Sequence, residues 1–406
     1  MPIKTPVGLL VMALSLSGTA PSSSAQPATT AGGTAMKDTL AYVGTYTSAK
    51  SKSKGIYLFQ VQTDQALGVE STSLVPLGLA AESDNPAFLA VDPKRRVLFA
   101  INEINTFDGQ ASGSVSAFAI DPATGKLALL NQRPSRGTGP CHLLLDRSGR
   151  NLLVANYGGG SIAVIRVEPD GHLGESTAFV QHAGNSINRA RQAGPHAHGT
   201  TLDAANRFAF VCDLGLDQIL TYRFDADKGT LTPGDPAFTA VKPGAGPRHL
   251  VFRPDGRFAY VFNEMHSTVT VFAYDAAAGR LSEVETVSSL PANYEGTKSG
   301  AEIAIVPSGK FLFVSNRGNS TLTRFEIDPT KGTLNYLEAQ PTAGRTPRHF
   351  GLTPSSQHLA AANQDSNTIL VSRIDPATGH LQPSGVLADV PSPVCVVFLP
   401  PATASR

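Results

Sequence analysis

The chain has 406 residues, of which 41% are apolar, and its 33 basic and 32 acidic residues leave a net charge of +1. This composition is that of an ordinary soluble globular protein with an ample core. The balanced charge excludes the strongly basic field that attracts nucleic acids or membrane surfaces. We therefore expect neither as a partner, and we expect a monomer.

The first 25 residues have the pattern of a signal peptide. Lys4 gives a positive start, residues 7–16 form an apolar run too short to span a membrane, and residues 23–25 supply small residues for cleavage. We therefore predict export, to the periplasm or the medium; a frayed apolar tail is the alternative. Residues 26–37, rich in Ala, Thr and Gly, are predicted to be a flexible leader, and residues 38–400 the folded domain.

The rest of the chain repeats one pattern: a strand, a Pro/Asp-Gly turn, a second strand, a loop, a third strand, and a tight turn into a fourth. An Asn or Asp closes the second strand of each copy, at intervals of roughly 47 to 57 residues: Asn102, Asn156, Asp213, Asn263, Asn316 and Asn363. Repeats of this length, built from several short strands, are typical of a β-propeller.

Six copies are complete, and the two ends of the chain supply the parts of another. Residues 41–46 and 55–61 look like second and third strands without a first, and residues 392–398 look like a first strand alone. Together they would form a blade that closes the ring and removes its open edges. The prediction is therefore an all-β, seven-bladed propeller of four-stranded antiparallel blades, with six or eight blades as alternatives.

Positions at which the copies differ are candidates for function. The residues after the Gly-Pro step of each first strand are Ala87, Cys141, His196, Arg248, Ala301, Arg348 and Val394. Two residues later, His198 is the polar member of an otherwise apolar column. The residues after the second strands are Thr45, Glu103, Tyr157, Leu214, Glu264, Arg317 and Gln364. Such a varied polar set is expected to surround one mouth of the central channel, solvated loop ends being the alternative.

These departures bring together the groups needed to hydrolyse or isomerise an anionic ester. Glu264 or a His can activate water, and arginines can hold an oxyanion or a substrate anion. We predict the catalytic set His196, His198, Arg248, Glu264 and Arg317, and the substrate-binding set Arg348, Glu103, Tyr157 and Gln364. His142, His249 and His349, on the opposite strand face, are interpreted as scaffold. Arg248 and Glu264, from one blade, are predicted to be the nearest ion pair.

At these residues the chain resembles the 6-phosphogluconolactonase family of seven-bladed propellers, whose fold the fungal carboxymuconate-lactonizing enzymes share. The segments that carry the resemblance are Pro195-His196-Ala197-His198, residues 213–217, Gly246-Pro247-Arg248-His249, Phe262-Asn263-Glu264, Ser315-Asn316-Arg317-Gly318 and residues 361–367. The resemblance implies hydrolysis of a sugar-acid lactone without a metal or other cofactor, and it leaves open whether His196 or His198 is catalytic.

Two other functions remain open at this point. A propeller with a polar mouth can be a non-catalytic module that binds a protein or a cell-wall ligand. The ring of Asn residues also suits a calcium-dependent lactonase of the six-bladed type, although calcium prefers several carboxylates and three arginines would repel it.

Overall fold

A computed structural model of the chain describes residues 39–48, 50–66 and 69–401, and these form seven four-stranded antiparallel sheets arranged as the blades of a propeller. In chain order, the closing blade contributes β1 (Leu40–Thr45), β2 (Gly55–Ala66) and β3 (Val69–Glu82), and blade 1 contains β4 (Phe88–Asp92), β5 (Val97–Asn102), β6 (Ser114–Ile120) and β7 (Leu127–Pro134). Blade 2 contains β8 (Pro140–Leu145), β9 (Asn151–Asn156), β10 (Ser161–Val167) and β11 (Leu173–Gln181), and blade 3 contains β12 (Ala197–Leu202), β13 (Phe208–Asp213), β14 (Gln218–Asp225) and β15 (Thr230–Ala240).

The remaining strands follow the same order. Blade 4 contains β16 (Pro247–Phe252), β17 (Phe258–Asn263), β18 (Thr268–Asp275) and β19 (Arg280–Ser288), and blade 5 contains β20 (Gly300–Ile305), β21 (Phe311–Asn316), β22 (Thr321–Ile327) and β23 (Leu334–Pro341). Blade 6 contains β24 (Pro347–Leu352), β25 (His358–Asn363), the 3-10 helix η1 (Gln364–Ser366), β26 (Thr368–Ile374) and β27 (Leu381–Asp389), and β28 (Pro393–Leu399) returns to the closing blade.

The closing blade confirms the predicted ring closure. Its strand order is β28, β1, β2, β3, and β28 pairs antiparallel with β1, with Val43 opposite Val396. The last strand of the chain thus becomes the innermost strand of the blade that the first strands build. Consecutive first strands contact one another around the ring, from β4 through β24 to β28 and back to β4.

The core lies between the blades. The second strand of every blade is buried along its whole length, because both of its faces pack against neighbouring blades. Tyr260 and Phe262 of β17, for example, pack with Leu312 and Val314 of β21. The fourth strands form the outer rim, and most of their residues are partly or fully exposed.

The repeated Asn residues cap strand ends, as expected. The side-chain oxygen of Asn102 accepts hydrogen bonds from Ser114 and Ser116 of the third strand, and the side-chain nitrogen of Asn263 donates to Thr268 and Thr270. Each Asn joins its own second and third strands. The residue that follows the Asn therefore lies at the same end of the blade in every copy.

Three further features concern the start of the chain, its cysteines and membrane-spanning helices. The predicted signal peptide and leader, residues 1–37, lie outside the described residues. The three cysteines, Cys141, Cys212 and Cys395, are all free and buried. Within the described residues, no helix is long and apolar enough to cross a membrane.

Candidate active site

In five of the seven blades, a β-bulge near the start of the first strand leaves one residue unpaired and turns it toward the channel. In blade 4, Pro247 pairs with Asn263 and His249 with Phe262, so Arg248 has no partner in the ladder. Blades 2 and 6 skip Cys141 and Arg348 in the same way. A bulge leaves its extra residue unpaired and redirects that side chain, so the bulged positions face the channel together.

The bulge corrects the predicted equivalence of His196 and Arg248. In blade 3, Ala197 pairs with Asp213 and Gly199 pairs with Cys212, so His198 has no partner in the ladder and is the bulged counterpart of Arg248. The counterpart of Pro247 in blade 3 is Ala197, two residues after Pro195. The alignment of the first strands on the Gly-Pro step was therefore wrong for this blade. Counting back 15 residues from the residue that closes the second strand reaches the bulged residue in blades 2, 3, 4 and 6.

His196 supports the site from outside the cavity. Its ring stacks on Tyr157, with 4.4 Å between ring centroids, and its Nδ1 lies 2.9 Å from the Tyr157 carbonyl oxygen. Its backbone N–H donates to Asp213 at 2.7 Å. His196 lies one residue before β12 begins, whereas Arg248 and Arg348 lie inside β16 and β24, so the three residues are not equivalent.

A cavity of about 180 Å³ occupies the end of the channel at which first strands begin and second strands end. It is lined by Glu103, Cys141, Tyr157, Arg191, His198, Glu264, Arg317 and Arg348. Seven of these eight residues come from two columns of the repeat, the bulged positions and the positions after the second strands. The predicted residues His198, Arg248, Glu264, Arg317, Arg348, Glu103 and Tyr157 are thus brought together, with Arg248 in contact with Glu264 just behind the lining.

Three residues of the second column do not line this cavity. Gln364 lies in η1 and its backbone N–H donates to Thr346, and Leu214 is fully buried. Thr45 pairs with Pro393 and is therefore the counterpart of the closing Asn, which makes Tyr46 the counterpart of Glu264 in the closing blade. The assignment of Thr45 to that column was one residue out of register.

Glu264 is surrounded by cations. Its Oε2 lies 2.9 Å from Arg317 and 3.5 Å from Nε of Arg248, and its Oε1 accepts a hydrogen bond from Arg191 at 2.7 Å. The prediction that Arg248 would be its nearest partner is wrong. Nη1 of Arg248 instead donates to the carbonyl oxygen of Ala301 at 2.6 Å, which draws the guanidinium toward blade 5.

Arg191 was missed by sequence reasoning because it lies outside the repeat. It belongs to the loop between β11 and β12, its side chain is 44% exposed, and it also donates to the Tyr157 hydroxyl. The loop is held in place by Gln192, which donates to the Leu214 carbonyl oxygen at 2.8 Å. The available signal was length: residues 182–196 form a longer connection than residues 241–246 between β15 and β16.

Burial and charge move the pKa values of the cavity groups in different directions. Burial alone would raise the pKa of Glu264, but Arg317, Arg248 and Arg191 outweigh it and lower that pKa to about 2. Burial raises the pKa of Glu103, against the opposing effects of Arg348 and of a hydrogen bond from Tyr46. Burial and the charge of Arg248 hold the pKa of His198 well below its usual value, so its imidazole is neutral at pH 7.

The site carries a surplus of positive charge. Burial, together with Arg317, lowers the pKa of Arg248 to about 10, which leaves it charged at pH 7. Arg191, Arg248, Arg317 and Arg348 face the carboxylates of Glu103 and Glu264, and the nearby carboxylate of Glu302 also interacts with Arg248. Arg348 stacks over the Tyr46 ring at 5.2 Å. Within the described residues its guanidinium donates no hydrogen bond, so its donors are available to a ligand anion.

Deeper in the channel, the repeated histidines form a packed layer, and their interpretation as scaffold stays a prediction. His249 lies 3.1 Å from Glu302, His349 lies 3.6 Å from the same carboxylate, and the His142 and His249 rings are 4.9 Å apart. A Cβ on Gly199 would collide with His249, so glycine is needed at that position of the layer. No group of three or more His, Cys, Asp or Glu in the described part of the chain could hold a metal ion.

Comparison with known proteins is consistent with this architecture. The family model described as "Lactonase, 7-bladed beta-propeller" matches residues 40–398. A 6-phosphogluconolactonase from Bacillus subtilis is 34% identical over 361 residues, which cover 89% of this chain and 98% of that protein. A 6-phosphogluconolactonase from Formosa agariphila is 33% identical, covering 77% of this chain and 85% of that one. The solved structure of a periplasmic gluconolactonase from Pseudomonas aeruginosa superposes with a TM-score of 0.81 at 32% identity, covering 89% of this chain and 99% of that one.

Proposed function

The chain belongs to the lactonase family of seven-bladed β-propellers, and we propose that its cation-rich cavity opens the ring ester of an anionic sugar-acid lactone. It is a hydrolase of carboxylic esters: water adds to the lactone carbonyl, and the ring oxygen leaves as a hydroxyl group. The substrates named for the relatives, 6-phosphogluconolactone and gluconolactone, set the chemical class.

The observation that carries this proposal is that four guanidiniums outnumber the three carboxylates that interact with them, those of Glu103, Glu264 and Glu302, around one small cavity. A volume of about 180 Å³ is below the roughly 300–1,000 Å³ of pockets for drug-sized ligands, so it suits a single sugar ring. The unmatched positive charge favours a substrate that brings its own anion, such as a phosphate.

The deeper arginines are the best candidates to stabilise the transition state. Arg248 and Arg317 are held in fixed positions by Glu264 and by the carbonyl oxygens of Ala301 and Gly300. Donors that are fixed before the reaction stabilise an oxyanion most effectively, and one such donor contributes about 10²–10³ in rate. Glu264, with a pKa of about 2, is a weak base, so its role is to position these arginines.

The outer groups would bind the rest of the substrate. Arg348 has donors available for a substrate anion, and Arg191 lies at the rim, where it can swing away from Glu264. The neutral His198, whose Nε2 lies 3.8 Å from Glu264, can hydrogen-bond a sugar hydroxyl or the leaving oxygen. Tyr157 forms the cavity wall, and His196 and Gln364 have no direct contact with a ligand in this arrangement.

The test is hydrolysis of glucono-1,5-lactone and of its 6-phosphate by the purified protein. We expect turnover, stronger for the phosphorylated lactone, and a loss of about 10²–10³ in kcat for Arg317→Gln. Arg280→Gln is the matched control, because Arg280 is exposed on the outer strand β19. Saturable binding of a lactone without turnover would instead support the non-catalytic reading.

We also propose that the protein is exported and acts as a monomer. Export rests on the signal-peptide pattern of residues 1–25 and on the periplasmic location named for the Pseudomonas aeruginosa relative. Cell fractionation with and without residues 1–25 tests it, and retention of both forms in the cytoplasm would contradict it. Sedimentation equilibrium of the purified protein tests the oligomeric state.

A further inference from the structure

Ester hydrolysis at this site needs a base for the attacking water, and Glu264 is poorly placed for that task. Arg191 binds one of its oxygens, and the other faces Arg317 at 2.9 Å, Arg248 at 3.5 Å and His198 at 3.8 Å. Cations occupy the directions from which a water proton would have to approach. A carboxylate held in this way binds protons weakly.

Glu103 is the second carboxylate of the cavity and has different surroundings. It follows Asn102 at the end of β5, the same repeat position that Glu264 holds in blade 4. Its Oε2 accepts a hydrogen bond of 2.8 Å from the Tyr46 hydroxyl. Within the described residues, no guanidinium forms an ion pair with Glu103 and no donor reaches its Oε1, while its side chain is partly exposed to the cavity.

The backbone of Glu103 is held firmly, so the free oxygen has a defined position. Its N–H donates to the carbonyl oxygen of Asn85 at 3.0 Å. Tyr46 fixes the other end, and the Arg348 guanidinium packs on the Tyr46 ring. Glu103 therefore presents one carboxylate oxygen to the cavity, beside the cation that is available for a substrate anion.

We propose that Glu103, oriented by Tyr46, is the general base that activates the hydrolytic water, a role that rests on the lactonase function proposed above. Glu103 removes a proton from water as the water oxygen bonds to the lactone carbonyl carbon and the carbonyl electron pair moves onto its oxygen. The tetrahedral oxyanion then collapses, the bond from carbon to the ring oxygen breaks, and protonated Glu103 returns its proton to that oxygen. The acid product loses its proton to solvent.

The electrostatics of Glu103 are those of a usable base. Burial raises its pKa, while Arg348, the Tyr46 hydroxyl and Arg248 lower it in part, and the buried thiol of Cys141 is the further titratable group that faces it. A base with a pKa nearer the working pH transfers protons more effectively. The Cys141 thiol does not compete, because burial raises its pKa.

The experiment compares the pH dependence of kcat/KM in Glu103→Gln, Glu264→Gln and Tyr46→Phe with the unaltered protein. In the unaltered protein, kcat/KM should rise with pH through the pKa of Glu103. Glu103→Gln should lower kcat by about 10²–10⁴, abolish that rise and leave the melting temperature and KM nearly unchanged. Glu264→Gln should be slow but keep the rise. Tyr46→Phe should shift the rise to higher pH, since the lost hydrogen bond stabilised the ionised carboxylate.

Two results would overturn the assignment. If Glu103→Gln keeps the pH-dependent rise with kcat within a few-fold of normal while the unaltered protein hydrolyses lactones, Glu103 is not the base and the lactonase function stands. If the unaltered protein hydrolyses no lactone of the panel, the proposed function fails and the assignment fails with it. Glu295→Gln, at an exposed loop position, controls for loss of a carboxylate as such.

Discussion

Replacing Glu264 with glutamine would keep the shape of the side chain but leave three guanidiniums without their shared carboxylate. Removal of one partner of a buried ion pair typically costs about 3–5 kcal/mol, because the remaining charge stays buried and unpaired. Arg317 and Arg248 account for most of this cost, since their side chains are only 14% and 5% exposed. Arg191 is 44% exposed, and water can replace its lost partner.

Thermal unfolding measures the effect. A domain of about 360 ordered residues has an unfolding entropy of roughly 0.75 kcal/mol per kelvin near its midpoint. A loss of about 3–5 kcal/mol then lowers the melting temperature by about 4–7 °C. Glu295→Gln should leave it unchanged, because Glu295 is exposed and forms no ion pair within the described residues.

A double mutant separates this charge effect from a packing effect. Glu264→Gln with Arg317→Gln removes one cation of the uncompensated cluster, so the double variant should be more stable than the sum of the two single losses predicts. The coupling expected for contacting charges is about 0.5–3 kcal/mol. A melting temperature within 1 °C of normal for Glu264→Gln, or strictly additive losses, would refute the view that Glu264 neutralises this cluster.

Three further outcomes follow from the same site. The pKa of Glu264 is lowered to about 2, so its contribution to stability is complete above its unfolded pKa of about 4.3 and is lost as pH falls toward 2. Urea titrations should therefore show that the difference in unfolding free energy between the protein and Glu264→Gln shrinks over that range. Arg191→Gln should raise KM for a phosphorylated lactone about tenfold, because one charge-assisted hydrogen bond is lost, and should leave KM for the uncharged lactone unchanged. Arg189→Gln, in the same loop and exposed, should change neither KM. An equal rise in KM for both lactones would contradict a role of Arg191 in anion binding. Chelation with EDTA should leave hydrolysis unchanged, whereas activity lost to EDTA and restored by calcium would establish a metal-dependent mechanism.

The blade count could be predicted because a propeller repeats the chemistry of its turns. Closing turns such as Asp121 to Gly125 and Asp375 to Gly379 recur with the Asp side chain accepting backbone N–H groups and the Gly at a φ near 70°. Each such turn needs these residues in order to form, so each leaves a mark in the sequence. Ring closure was equally visible, because an isolated first strand at one end matched the missing strand at the other.

The register of the site was predictable in five of the six complete copies and wrong in the third. Strand register follows from pairing, and Asp213 determines it through its pairing with Ala197. Pro195 is not part of that ladder, so it was a poor reference point. Arg191 could not have been placed from the sequence, because its reach to Glu264 depends on how one long loop folds against blade 3.

Glu103 and Glu264 show why the scaffold alone does not determine the chemistry. Both follow the closing Asn of a second strand, so the fold places them at the same level of one channel mouth. Glu264 has an arginine at the bulge of its own blade and another, Arg317, at the same level of the next blade. Glu103 has Ala87 at the corresponding position of its own blade and Tyr46 and Tyr157 in the neighbouring blades. Opposite pKa shifts follow from these neighbours, because burial dominates where no guanidinium pairs with the carboxylate and charge dominates where three do. The repeat thus supplies two equivalent carboxylates, and the non-repeating columns give one the electrostatics of a base and the other those of a fixed counter-ion.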